Sequence, residues 1–139
     1  MFAIVETLKV WVGGLRPDFL ARCGWSIIEQ KCTGDDKFVD AGRKSFPSGH
    51  VAYSFGSMTL LMRIFFHTFS PHLYSFFAAL LCTLPLVWAG HISITRWWEN
   101  RHQPMDLLGG AIIGIALALA SYRLFCANRT YRHTRLCCS

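Results

Sequence analysis

Three apolar stretches constrain the fold of this chain more than any other feature of its sequence. They cover residues 51–69, 73–91 and 107–126, and each is close to the ~20 residues that a helix needs to cross a bilayer core. Lipid offers the backbone no hydrogen-bond partners, so such stretches are expected to be helical. The composition agrees, because 53% of the residues are hydrophobic. We therefore predict an all-α integral membrane helical bundle.

The remaining segments set the predicted domain organisation. Residues 1–13 carry two charged side chains and too few apolar residues to span alone, so we interpret them as the end of a helix whose beginning is missing. The only long connection, residues 14–46, is polar. We expect one membrane domain over residues 1–126 and a basic C-terminal tail over residues 127–139.

Two glycines in the last apolar stretch bear on helix packing. Gly110 and Gly114 are four residues apart, the GxxxG spacing that lets two membrane helices approach closely. We predict close packing against a neighbouring helix. The alternative is a flexible, lipid-facing surface.

The six cysteines show no zinc-ligand spacing, so no metal site is expected. Cys23 and Cys32 lie in the polar connection and could form a disulfide if that connection faces the lumen or the exterior. Cys137 and Cys138 lie beside basic residues and could be palmitoylated. Free thiols are the alternative in both cases.

Three polar clusters are expected to meet the same aqueous face of the membrane. The first contains Lys9, Arg16 and Pro17, the second is the segment 47–50, and the third covers residues 96–106. Lys9 and Arg16 are seven residues apart, about two helical turns, so both can project from one side of a helix end. No span separates the first two clusters, and an even number of spans separates the second from the third. The three clusters can therefore form one site.

The second cluster reads Pro47-Ser48-Gly49-His50 and stands directly before an apolar stretch. We predict a helix start with Pro47 in the first turn, where its missing N–H costs nothing. The N–H groups of Ser48, Gly49 and His50 would then face an anion, and His50 could give a proton to a leaving oxygen. The alternative is a plain helix cap with a surface histidine.

The third cluster combines a histidine, a carboxylate and an arginine. His102 and Asp106 are four residues apart, which places them on one face of a helix that we expect to begin near Pro104. Asp106 could accept a hydrogen bond from one imidazole nitrogen and leave the other as a nucleophile. Arg96 offers a planar fork for phosphate oxygens. The alternative is an interfacial cluster of aromatic anchors and solvated charges.

The order of these motifs is more specific than any one of them. The chain carries K-x6-R-P, then P-S-G-H, then R-x5-H-x3-D around two intervening spans. This pattern resembles the type 2 phosphatidic acid phosphatase family, the lipid phosphate phosphatases. The flanking stretches 16–23 and 42–50 are most similar to the diacylglycerol pyrophosphate and phosphatidate phosphatase branch. The resemblance covers residues 1 to about 125.

The resemblance implies a fold, a reaction and a set of site residues. The fold would be a truncated version of a six-helix core, and the reaction a metal-independent phosphoryl transfer through a phosphohistidine, with no cofactor. The implied catalytic residues are His50, His102 and Asp106. The implied phosphate-binding residues are Lys9, Arg16, Pro17, Ser48, Gly49 and Arg96. One departure is Thr95, which stands where the family has serine and keeps a hydroxyl.

The expected partners are a lipid phosphate substrate, the membrane, and either a second copy of the chain or a full-length relative. Nucleic acid is not expected, because no binding module is recognisable and the net charge of +6 also suits an anionic lipid surface. Basic residues on both sides leave the orientation open on charge alone. The resemblance implies a multi-pass protein with a lumenal or extracellular site and a cytosolic tail. The alternative function is a non-catalytic relative that binds anionic lipid or a full-length partner.

Overall fold

The structure is a computed structural model that describes residues 1–69 and 75–130. The described residues form six helices and one short hairpin. The helices are α1 (Phe2–Val12), α2 (Phe19–Cys23), α3 (Asp36–Gly42), α4 (Gly49–Phe69), α5 (Ser75–Trp98) and α6 (Pro104–Thr130). The hairpin pairs β1 (Trp25–Ser26) antiparallel with β2 (Lys31–Cys32), with Trp25 opposite Cys32. The predicted all-α bundle is confirmed. The cysteines proposed for palmitoylation, Cys137 and Cys138, lie outside the described residues.

The three predicted apolar stretches correspond to α4, α5 and α6. Within the described residues, two segments are long and apolar enough to span a membrane, Ala79–Trp98 in α5 and Pro104–Phe125 in α6. α4 is not one of them, since serine, threonine, histidine and arginine side chains reduce its apolar character. α5 also continues to Trp98, past the predicted end at residue 91.

α4 lies between the other two long helices and packs against both, whereas α5 and α6 scarcely touch. Close approach of α6 depends on its glycines. A Cβ added to Gly110 would lie 2.7 Å from the Ser48 carbonyl oxygen, and one added to Gly114 would collide with the Ala52 carbonyl oxygen. The predicted close packing is therefore confirmed.

The outer surfaces of α5 and α6 suit a lipid environment. Large apolar side chains on these helices are more than half exposed, including Leu80, Leu84, Val87, Leu108, Ile112 and Leu124. Exposed apolar residues along two long helices are expected where the solvent is hydrocarbon.

The polar connection, residues 14–46, contains α2, the hairpin and α3. Its hairpin is fixed by a disulfide between Cys23 and Cys32, whose Cα atoms are 5.0 Å apart, so these two cysteines are not free thiols. The connection then returns to the end of α1, where the Ser45 N–H donates to the Gly14 carbonyl oxygen at 3.1 Å. Gly14 has φ of 107°, which a residue with a side chain rarely adopts. This return places the segment before α4 beside the end of α1.

A candidate active site at one end of the bundle

The turn between α5 and α6 positions the third cluster. Arg96 lies in the last turn of α5, five residues past the predicted end of the apolar stretch at residue 91, because the helix extends to Trp98. Asn100 has φ of 52° and its N–H donates to the Trp97 carbonyl oxygen at 2.8 Å. The Arg101 N–H donates to the Arg96 carbonyl oxygen at 3.2 Å, which completes a Schellman motif with asparagine in the left-handed position. This compact reversal keeps His102 at the same end of the bundle as Arg96.

α6 begins at Pro104, as predicted. Its start is fixed by Asp106, whose Oδ2 accepts a hydrogen bond from the Gln103 N–H at 2.9 Å, one half of a capping box. The Asp106 carbonyl oxygen also accepts a hydrogen bond from the Ser48 N–H at 3.1 Å. This backbone contact joins the second cluster to the third.

His102 and Asp106 are close, but the predicted direct hydrogen bond between them is not formed. His102 Nδ1 and Asp106 Oδ2 are 3.7 Å apart, which is too long. Ser45 lies between them: its hydroxyl donates to Asp106 Oδ2 at 2.5 Å and is 3.5 Å from His102 Nδ1. Sequence reasoning missed Ser45, whose only signal is its place two residues before Pro47.

The His102 ring is buried, with 3% of the residue exposed. Burial is the main reason that the pKa of His102 is lowered to about 4, and the positive charge of Arg16 acts in the same direction. The carboxylate of Asp106 and a hydrogen bond with the Ser45 backbone oppose this shift, while His50 adds to it. His102 is therefore neutral at physiological pH, the state in which an imidazole nitrogen can act as a nucleophile.

The second cluster differs from its predicted geometry in two ways. α4 begins at Gly49, so Pro47 lies before the helix and not in its first turn. The Ser48 N–H donates to the Asp106 carbonyl oxygen, so it is not free to bind an anion. The N–H groups of Gly49 and His50, in the first turn of α4, remain available for that role. The Ser48 hydroxyl oxygen is buried and has no hydrogen-bond partner among the described residues.

Lys9 connects the first cluster to the second. A Cβ added to Gly49 would lie 3.0 Å from Lys9 Nζ, so glycine permits the ammonium group to approach the start of α4. Lys9 Nζ pairs with Glu6 Oε1 at 2.6 Å, and the Tyr53 hydroxyl donates to the same oxygen at 3.3 Å. The lysine is thus held at the site by a carboxylate of its own helix.

The turn after α1 carries Arg16 and Pro17. The Phe19 N–H donates to the Arg16 carbonyl oxygen at 3.0 Å, which makes a β-turn with Pro17 at its favoured second position. Pro17 is exposed. Arg16 Nε donates to the Ala41 carbonyl oxygen at 3.2 Å, and burial lowers the pKa of the Arg16 guanidinium.

Arg96 shares an acidic partner with a second arginine. Arg96 Nη2 lies 2.9 Å from Glu99 Oε1, and Arg101 Nε lies 2.8 Å from Glu99 Oε2. Arg96 Nε is buried and has no hydrogen-bond partner among the described residues. The guanidinium therefore keeps a buried donor beside the site.

The cations of the first and third clusters act on His50. Burial is the main cause that lowers the pKa of His50, followed by the positive charges of Arg96, then of Lys9 and Arg16. His50 in turn affects the titration of His102. The structure thus brings the predicted clusters together around two histidines. Pro17 lies in the turn after α1, where it is exposed.

Comparison of the sequence with known protein families identifies the family of this chain. Residues 1–130 match the profile described as the PAP2 superfamily. The chain belongs to the PAP2 superfamily. The resemblance predicted from the three motifs is therefore confirmed, and with it a helical membrane fold.

Curated relatives of this PAP2 chain carry phosphatase names. The chain is 36% identical to Lipid phosphate phosphatase 2 of Arabidopsis thaliana, over 88% of this chain and 46% of the relative. It is 31% identical to Probable diacylglycerol pyrophosphate phosphatase 1 of Schizosaccharomyces pombe, over 86% of this chain and 47% of the relative. It is 32% identical to Diacylglycerol pyrophosphate phosphatase 1 of Saccharomyces cerevisiae, over 84% of this chain and 44% of the relative. The chain spans less than half the length of these relatives. No solved structure matches it significantly.

Proposed function

We propose that this PAP2 chain is an integral membrane lipid phosphate phosphatase. Its substrates would be phosphatidate-like lipids, from which it removes phosphomonoester or pyrophosphate groups. The observation that carries the proposal is the set of three cations, Lys9, Arg16 and Arg96, around His50 and beside the buried, neutral His102. The names of the relatives support the substrate class.

The cations would bind the phosphate of the substrate. Positive charge fixed in a partly buried site stabilises the charge that develops on a transferring phosphoryl group, and it needs no reorganisation during the reaction. Arg96 has a buried donor without a partner among the described residues. The Ser48 hydroxyl and the backbone N–H of Gly49 would bind further oxygens. We propose that these groups serve in place of a metal ion.

The first chemical step would be attack by His102 on phosphorus. Its Nδ1 faces Ser45 and Asp106, so the attacking atom is Nε2. A phosphorus–nitrogen bond forms and the bond from phosphorus to the lipid oxygen breaks. His50 gives its proton to that leaving oxygen, so the alcohol, or the lipid phosphate of a pyrophosphate substrate, departs without added charge.

The second step would be hydrolysis of the phosphohistidine. The His50 imidazole, now neutral, takes a proton from a water molecule as the water oxygen attacks phosphorus. The phosphorus–nitrogen bond breaks, and inorganic phosphate leaves. Asp106 would orient the His102 ring through both steps.

We also propose that the site faces the lumen or the exterior, with the C-terminal tail in the cytosol. The disulfide between Cys23 and Cys32 supports this orientation, since disulfides persist in oxidising compartments. The hairpin that it closes belongs to the polar connection, which also carries Arg16.

Phosphate release tests this proposal. The chain in detergent micelles, with excess chelator, is given phosphatidate or diacylglycerol pyrophosphate, and inorganic phosphate is measured. Sustained release from either lipid is the expected result. A folded chain that releases no phosphate, or that needs an added metal, would contradict the proposal.

Replacing Glu99 with glutamine is expected to tighten substrate binding. The Glu99 carboxylate forms ion pairs with Arg96 and Arg101. It therefore competes with the substrate phosphate for these two guanidinium groups. We expect KM for phosphatidate to fall about threefold to tenfold, with kcat within about twofold of the parent. The measurement is the dependence of initial rate on the surface concentration of phosphatidate in micelles.

The matched control for this prediction is Glu29→Gln, which removes an exposed carboxylate paired with Lys31 at 2.9 Å in the hairpin. It should leave KM unchanged. An unchanged or raised KM in Glu99→Gln would show that Glu99 does not compete with the substrate.

The pH optimum of kcat/KM is expected to lie on the acid side of neutrality. His102 must be neutral to attack, and its pKa of about 4 places the acid limb near that pH. His50 must be protonated to donate, and its pKa is below the ordinary value of 6.5, so the rate falls as pH rises through that lowered pKa. Initial rates at constant ionic strength, with His50→Asn measured alongside, check this. Ionisation of the substrate affects the parent and His50→Asn equally, so a difference between their pH profiles reports on His50. An alkaline limb that is unchanged in His50→Asn would contradict the assignment.

A further inference from the structure

Ser45 is the buried polar residue of the site that none of the three motifs contains. It is 1% exposed, and its hydroxyl donates to Asp106 Oδ2 at 2.5 Å. The same oxygen is 3.5 Å from His102 Nδ1. One residue therefore contacts both members of the histidine and carboxylate pair.

The carboxylate is held away from the imidazole by its other contacts. Asp106 Oδ2 accepts the Gln103 N–H at 2.9 Å, and the Asp106 carbonyl oxygen accepts the Ser48 N–H at 3.1 Å. These bonds fix the first turn of α6 and leave 3.7 Å between Asp106 Oδ2 and His102 Nδ1. A hydroxyl can bridge such a gap, because it donates to one group and accepts from another.

We propose that Ser45 is a positioning residue that links Asp106 to His102 in the phosphatase reaction. The inference rests on the proposed function. The Ser45 hydroxyl donates its proton to Asp106 and accepts the Nδ1 proton of His102 through a lone pair. This arrangement selects the tautomer in which Nε2 carries the free lone pair, and it holds the ring in the orientation for attack.

The local backbone supports this role, because Ser45 is fixed before any substrate binds. The Ser45 N–H donates to the Gly14 carbonyl oxygen at 3.1 Å, and the Phe46 N–H donates to the Gly13 carbonyl oxygen at 3.0 Å. A hydroxyl on a fixed backbone loses little conformational freedom when it orients a catalytic group. The end of α1 therefore supports His102 through Ser45.

The test compares phosphate release by the parent, Ser45→Ala and Ser45→Thr in detergent micelles. We expect Ser45→Ala to lower kcat by about 100-fold with KM within about twofold, since misorientation of a reacting group affects the chemical step. Ser45→Thr keeps the hydroxyl and should recover most of that loss. Ser54→Ala is the matched control: Ser54 is also buried, but its hydroxyl bonds the His50 carbonyl oxygen within α4. It should leave kcat unchanged.

A double-mutant cycle separates positioning from packing. If Ser45 acts through Asp106, Ser45→Ala should cost less than about threefold in an Asp106→Asn background. The inference would be overturned if Ser45→Ala lowered kcat by the full factor of about 100 in the Asp106→Asn background. It would also be overturned if Ser45→Ala and Ser45→Thr lost the same kcat while thermal unfolding showed both to be folded. A parent-like kcat in Ser45→Ala would overturn it as well. An inactive parent would instead contradict the proposed function, so the two failures are distinguishable.

Discussion

Replacing His102 with alanine is expected to lower phosphate release by at least about 10³-fold, because removal of a nucleophile leaves only the contribution of binding and charge. The buried imidazole is neutral at physiological pH, and no other neutral nucleophile replaces it in the proposed mechanism. The measurement is release of inorganic phosphate from phosphatidate in micelles, with the parent and the variant at matched protein concentration. Thermal unfolding of both proteins checks that the variant is folded.

The matched control for His102→Ala is His91→Ala. His91 is exposed on α5, and its ring centroid is 5.5 Å from that of Trp88, so the same substitution there removes no group of the site. We expect this control to keep the parent rate within about twofold. A His102→Ala variant that retains a tenth or more of the parent rate would contradict the nucleophile assignment, as would equal losses in the two variants.

The second large effect is expected in helix packing, where Gly114→Ala should destabilise the bundle. The added Cβ would collide with the Ala52 carbonyl oxygen and crowd the Gly56 N–H, so α4 and α6 must separate. Such overpacking typically costs about 1–3 kcal/mol. Because α4 and α6 carry His50 and the Asp106 carboxylate, we expect activity to fall with stability. Thermal unfolding in detergent micelles, followed by tryptophan fluorescence, measures the change.

Gly90 provides the control for this substitution. Gly90 is also inside a membrane helix, and apart from its chain neighbours and the nearby backbone of its own helix, no atom among the described residues lies within 4 Å of a Cβ built there. Gly90→Ala should be neutral or stabilise the helix by up to about 1 kcal/mol, since alanine is the better helix former. If the two alanine substitutions had the same effect on unfolding, close approach at Gly114 would not hold α4 against α6.

The convergence of the three clusters could be predicted from the sequence because it depends on simple geometry. Two helices between His50 and Arg96 return the chain to the same end of the bundle, whatever their packing. The glycine spacing likewise predicted close contact, since Gly110 and Gly114 lie on one face of α6. These features depend on helix length and period, which residue types determine locally.

The finer geometry depends on contacts that no local pattern specifies. α5 could continue past residue 91 because arginine and tryptophan are tolerated in a last helical turn, and Asn100 then ends it in the left-handed conformation. The spacing of His102 and Asp106 predicted a direct hydrogen bond. The structure has Ser45 between them because the polar connection returns to the site through backbone bonds to Gly13 and Gly14. That long-range return is not visible in the residues themselves.

The most direct test of the phosphohistidine mechanism is to trap the intermediate. The parent chain in micelles is mixed with phosphatidate labelled at phosphorus, quenched in denaturant at alkaline pH within one turnover, and digested for peptide mapping. We predict label that is stable to base and labile to acid, as a phosphorus–nitrogen bond is, on the peptide that contains His102. Phosphate release without protein-bound label, or label on another residue, would contradict the mechanism.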